Sequence, residues 1–225
     1  MDNTTYLEFQ KFSDREQAEE LTGILSRNGI ASVLDELPGY AYVLSSNPAK
    51  EFHVKLKAED FERANALLLA QSARQIESVD KRYYLHTFTD FELEEIVAKP
   101  DEWNDFDFLA AQKILKERGR ETGPAKLAQL QKERLAFLAT PETVPVHWII
   151  LGYVIGLLGG PIAIFSGWHL MTHKKTLPNG KRVPSYSNAT RKHGVFMLAT
   201  GIVSLIIWLV IGVIRNTPYR RGYYL

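Results

Sequence analysis

Three histidines carry the most chemistry in this sequence. His169 and His173 are four residues apart, on one face of a helix that runs past Trp168, and His193 opens the next apolar stretch and would return to the same end. Imidazoles at i and i+4 are a spacing that zinc accepts. Lys174, Lys175, Arg191 and Lys192 surround them and no acid is near. Like charges repel a cation, so the three are weak metal candidates and no metal or other cofactor is expected. His147 stands at the far end of the same apolar stretch, about 30 Å away along one straight helix.

A second cluster is acidic: Glu92, Glu94, Glu95, Asp101, Glu102, Asp105 and Asp107. Paired carboxylates perform acid–base work when burial splits their pKa values. At helix starts and turns they read instead as a solvated face. There is no cysteine, which excludes disulfides, thiolate metal sites and thiol nucleophiles. No phosphate-cradling glycine loop, serine elbow or zinc-protease helix is present. No catalytic residue is assigned, and a non-enzyme is expected.

The elements that hold these groups divide by charge. All 26 acidic residues of the 225-residue chain lie between Asp2 and Glu142, with 18 Lys and Arg, for a net charge of −8. From residue 143 onward there are 9 Lys and Arg and no acid. Within that basic third, Trp148 to Trp168 and Val195 to Ile214 are free of charged side chains. Each is long enough to cross the roughly 30 Å of bilayer hydrocarbon as a helix, and Trp148 and Trp168 bracket the first where interfacial aromatics belong. The N-terminus lacks the basic and apolar regions of a cleaved signal peptide. Gly152, Gly156, Gly160, Ala163 and Gly167 form a small-residue seam. It would pack on Ala199, Gly201, Ser204 and Gly212 of the second stretch, or on a second copy of the chain as a homo-oligomer. Pro161 predicts a kink near Gly160. With two crossings, six Lys and Arg of the 172–194 loop face six on the other side, so positive charge does not set the orientation. The acidic N-terminal portion is expected to stay inside, which puts both termini in the cytoplasm and the protein in a bacterial inner membrane.

The N-terminal portion reads as strand Leu7–Phe12, a helix capped from Ser13-Asp-Arg-Glu16, strand Ile30–Leu34, strand Phe52–Leu56 and a helix from Glu59. The helices would bury Ala18, Leu21, Ile24 and Leu25, and Phe61, Ala64, Leu67 and Leu68. A parallel pair of strands joined by a right-handed crossover is expected, with the third strand antiparallel to it and both helices on one face. The connection Leu37–Lys50 is long for so small a domain, and Tyr40, Tyr42 and Val43 in it are weak candidates for binding a partner or ligand.

The stretches YLEFQKFSDREQAEELTGILSRNGIASVLDE and FHVKLKAEDFERANALL resemble a small prokaryotic domain family named for signal-transducing proteins. The resemblance covers residues 5–72 and implies a β-α-β-β-α shape related to PII-type and ferredoxin-like domains. It carries no catalytic residues over. YYLHTFTDFELEEIVAKPDEWNDFDFLAAQKILKERG and KKTLPNGKRV…RKHG resemble segments that accompany this domain in bacterial membrane proteins.

Residues 79–141 read as three connector helices, with Thr89 and Glu92 as a capping box and Trp103 filling a gap between helices. Pro178-Asn-Gly180 predicts a tight turn in the basic loop. The expected fold class is therefore α+β: a ferredoxin-like sandwich over 1–78, a helical connector over 79–141, a two-helix transmembrane hairpin over 142–216 with its loop at 172–194, and a basic tail over 217–225. The expected role is a membrane-anchored regulatory or interaction protein whose N-terminal domain recognises a protein or small ligand. The alternatives are a structural subunit assembling through its spans and a His-based metal-binding membrane protein. Expected partners are the lipid bilayer and a protein, not nucleic acid, since the acidic domain repels phosphate.

Overall fold

The computed structural model describes residues 5–38, 50–76 and 82–216. They form two compact units. The first holds the chain up to Ala139 together with Thr176–Arg182, the second Thr140–Lys175 and the chain from Val183.

The first unit begins with β1 (Tyr6–Phe12), α1 (Arg15–Arg27), β2 (Ser32–Pro38), β3 (Lys50–Lys57) and α2 (Phe61–Gln75). Asp14, not Ser13, caps α1: its carboxylate accepts from the Glu16 amide. Gly29 ends the helix with φ 70°, a conformation that costs glycine little. The sheet order is β1-β3-β2, and β3 is antiparallel to both neighbours. β1 and β2 therefore run parallel to each other, with β3 lying between them rather than at the edge. β3 takes the centre: Phe52, Val54 and Leu56 bury its inner face against Leu21, Leu25 and Phe61, and it is the more completely buried of β1 and β3.

The connector builds a core of its own. α3 (Asp90–Ala98), α4 (Asp105–Glu117) and α5 (Pro124–Ala139) follow. Leu93, Ile96 and Val97 of α3 meet Phe108, Ala111, Ile114 and Leu115 of α4, apolar side chains at the 3–4 residue spacing of facing helices. Trp103 packs against this cluster, edge-on to Phe88 at 6.4 Å. The tip of the basic loop, in the same unit, turns at Gly180, whose amide donates to Leu177 O at 2.8 Å. Asn65 donates to Pro178 O at 2.9 Å.

The second unit contains α6 (Val146–Gly159), α7 (Pro161–Thr172) and α8 (Asn188–Asn216). Short strands β4 (Lys174–Thr176) and β5 (Arg182–Pro184) flank the loop tip. The first apolar stretch is not one helix. Gly160, at φ 77°, separates α6 from α7, and Pro161 starts α7 where its missing N–H costs nothing. A Cβ placed on Gly156 would lie 2.9 Å from that of Ala163, so the two helices fold back on each other.

The expected fold class is corrected accordingly. Among the described residues helix makes up 68%, with eight α-helices, and the sheets are small. The chain is not a ferredoxin-like sandwich followed by a two-helix transmembrane hairpin, because one helix alone among the described residues, Asn188–Asn216, is long and apolar enough to cross a membrane. The sequence expectation failed at Gly160, where a turn of positive φ splits a run whose composition would suit a continuous span.

Candidate functional site

A cleft of about 800 Å³ opens in the first unit beside β1, α1 and α2. Phe9, Phe61 and Trp103 give it aromatic walls, and Phe9 meets Phe61 edge-on at 5.2 Å. Glu8, Glu20, Asp101 and Asp105 supply its charge, Gln17 and Asn65 its amides, and no Lys, Arg or His among the described residues lines it. α1 and α2 present these amides because their apolar stripes are turned to the sheet, leaving the flank between helix and solvent polar. Ile24, expected in the core, is half-buried at the cleft wall.

The carboxylates differ in state. Asp101 is engaged by Arg134, whose guanidinium holds its carboxyl below the usual carboxylate range. Asp105, at the first turn of α4, is pushed up by burial. A second cleft, lined in part by Glu62, Leu69 and Arg134, shares Asp101 and Asp105 with the first. A carboxylate withdrawn from water recognises a cation more strongly than one in bulk solvent.

Asp107 departs from the solvated-face reading of the acidic cluster. Asp107 is only 4% exposed. It accepts from the Tyr83 hydroxyl and from Asn104 Nδ2 at 2.6 Å, and burial together with Asp107 pushes Tyr84 up to about 12. His53 is 4% exposed at the centre of β3, its Nδ1 2.7 Å from Glu8 Oε2. Its Nε2 has no hydrogen-bond partner among the described residues. Strand alternation alone gave no signal for that burial, since His53 lies on the face of β3 opposite the helices.

Tyr40, Tyr42 and Val43 lie outside the described residues. The histidines are placed in the second unit. His169 and His173 stack with centroids 4.5 Å apart. His173 Nδ1 is 2.8 Å from Ser185 Oγ, and His169 Nε2 is 3.4 Å from the Tyr186 hydroxyl. His193 pairs elsewhere, with the Tyr153 hydroxyl at 3.3 Å. Among the described residues no group of three His, Cys, Asp or Glu side chains could hold a metal ion. His147 is not at the opposite end from His169: the fold-back at Gly160 brings the start of α6 to the end of α7. The chain matches no family model, no curated protein and no solved structure.

Proposed function

We propose that this is a non-catalytic, membrane-anchored recognition protein. α8 holds it in a bacterial inner membrane, and the N-terminal unit, on the cytoplasmic side, binds a protein segment or small ligand. The observation that carries the reading is the 800 Å³ cleft, which falls in the size range of ligand sites. Its lining of carboxylates, amides and aromatic rings, with no basic side chain among the described residues, favours a ligand with a positive charge on an apolar stem, such as a lysine-bearing peptide or an alkylamine. Aromatic faces attract a cation through their quadrupole, and Asp105 adds a partly desolvated negative charge. Kinship with the prokaryotic signal-transducing domain family would fit such a role.

Anchoring rests on α8, whose exposed apolar side chains include Phe196, Val203, Leu209, Val213 and Ile214. So large an exposed apolar surface is unfavourable in water.

Two measurements test the reading. After lysis without detergent, high-speed sedimentation is expected to bring the full-length protein down with membranes; recovery in the supernatant refutes anchoring. In mild detergent, a tetralysine peptide is expected to change the fluorescence of Trp103, identified by its loss in Trp103→Phe, while a tetraglutamate peptide does not. Equal responses to both, or none, refute recognition at this cleft.

A further inference from the structure

We propose that the α6–α7 hairpin enters one leaflet of the bilayer and returns to the same face, so that among the described residues α8 alone crosses and its end at Asn216 lies on the non-cytoplasmic side. The proposal rests on the membrane reading above.

The helix directions support it. Residues of α6 meet α8 in rising order: a Cβ on Gly152 would touch Met197 and one on Gly156 would approach Thr200, while Ser204 Oγ donates to Leu157 O at 3.0 Å. Residues of α7 meet it in falling order: Gly160 lies against Gly201 and Leu205, and Gly167 against Gly194 and Leu198. α6 is therefore parallel to α8 and α7 antiparallel. Both feet of the hairpin rest at the start of α8. Thr190 Oγ1 accepts from the Val144 amide at 3.3 Å, and Arg191 Nε donates to Met171 O at 3.2 Å.

The depth matches half a bilayer. The uncharged part of α8 runs from Gly194 to Ile214, about 30 Å of helix. The apex at Gly160 is level with Gly201–Leu205, about 10–16 Å along that length and so close to the midplane. Around the apex Leu157, Leu158, Ile162 and Phe165 are each more than 60% exposed, which acyl chains would cover. At the feet Trp148 and Trp168 share one end of the unit, the depth at which indole rings prefer to sit. The apex is also compatible with hydrocarbon, where free backbone groups are costly. Gly160 N donates to Gly156 O, its carbonyl accepts from Ile164 N, and the Ser204 hydroxyl meets the Leu157 carbonyl.

The consequence is electrostatic. With two crossings positive charge was balanced at six against six. With one crossing, Lys174, Lys175, Lys181, Arg182, Arg191 and Lys192 join Lys126, Lys132 and Arg134 on one side, and only Arg215, Arg220 and Arg221 remain on the other. That bias places the loop and the N-terminal unit in the cytoplasm. It replaces the expectation that both termini share that compartment.

The absence of cysteine makes the test direct. Single variants Thr143→Cys, Lys174→Cys and Asn216→Cys of the full chain are treated in spheroplasts with a membrane-impermeant maleimide, before and after permeabilisation. Asn216→Cys is expected to label in intact spheroplasts, and the other two only after permeabilisation. Labelling of Thr143→Cys and Lys174→Cys from opposite sides overturns the proposal in favour of two crossings. Labelling of all three from the same side, with the protein still sedimenting with membranes, overturns it in favour of surface attachment. Failure of the membrane reading itself is distinguishable, because the protein would then not sediment.

Discussion

Arg134 grips Asp101 with two parallel hydrogen bonds, Nε to Oδ1 and an η-nitrogen to Oδ2, each 2.8 Å, and donates a third to Glu102 at 2.6 Å. The clamp matters because α5 has no fully buried residue of its own. Leu127 and Leu130 pack, partly buried, against the connector core, and the fork adds a tie to α5 that a lysine cannot reproduce. Arg134→Lys is expected to lower stability by about 1 kcal/mol and Arg134→Ala by about 1–2 kcal/mol, read as a fall in the Tm of the detergent-solubilised protein. Asp101 is depressed in the folded state, so its contribution is complete above the unfolded value near ~3.9 and fades as pH falls through the folded value. The gap in Tm between wild type and Arg134→Ala should therefore be constant from pH 7 to 5 and narrow progressively as pH falls below 4. A gap that does not narrow at all between pH 4 and pH 2 would assign the effect to packing alone.

At the start of α3 the Thr89 hydroxyl accepts from the Glu92 amide while the Glu92 carboxylate accepts from the Thr89 amide at 2.7 Å. These bonds hold the Glu92 carboxyl below the usual range. Thr89→Ala is expected to cost about 1 kcal/mol and Thr89→Ser much less. Hydrogen exchange at the first-turn amides of α3 checks it: faster exchange is expected in the alanine variant and near-native rates in the serine one.

How far the sequence discloses this structure differs from element to element. The Thr89–Glu92 box was readable because a cap is local: four residues decide it. Gly29 and the Pro178-Asn-Gly180 turn were readable for the same reason. The place of β3 between β1 and β2 was not, since pairing order depends on which strand can be buried on both edges. The two states of the acidic cluster were hidden too. Asp105 and Asp107 are two residues apart at one helix start, yet Asp107 is buried under Tyr83 and Asp105 faces a cleft. That difference is made by residues about 20 positions upstream. The apolar run Trp148–Trp168 was misjudged because hydropathy counts side chains, whereas the fold-back is a backbone event at Gly160.

That event predicts its own sensitivity. A Cβ on Gly160 would stand 2.8 Å from the Gly201 carbonyl oxygen, at a φ of 77° that disfavours L side chains. Gly160→Ala is expected to combine a backbone cost of about 1–2 kcal/mol with a steric clash that must push α7 off α8. Gly212 has nothing within 4 Å of an added Cβ and no special backbone angle, so Gly212→Ala should be neutral or stabilise by up to about 1 kcal/mol through helix propensity. Tm values of the two variants in the same detergent decide the matter; equal effects would mean that the turn is not held against α8.

The contact between Tyr83 and Asp107 offers the sharpest test of the connector core. Asp107 lies under Tyr83 with its other oxygen on Asn104 Nδ2 and its own amide donating to Asn104 Oδ1 at 2.8 Å. Burial, reinforced by the hydrogen bond and the charge of Asp107, raises Tyr83 above its ordinary value, so the phenol stays a donor throughout the neutral range. Tyr83→Phe keeps the ring that packs edge-on to Phe106 at 5.2 Å and removes only the hydroxyl. A buried carboxylate then loses a donor, and the expected cost is about 1–3 kcal/mol. The partner change Asp107→Asn retains an acceptor for the hydroxyl but sets its new amide NH2 against the Asn104 Nδ2 donor, so it should cost at least as much as Tyr83→Phe. In the double variant Tyr83→Phe/Asp107→Asn the loss should fall short of the sum of the singles, because both remove the same charged hydrogen bond. Additive losses would mean that the two side chains are neighbours without energetic coupling.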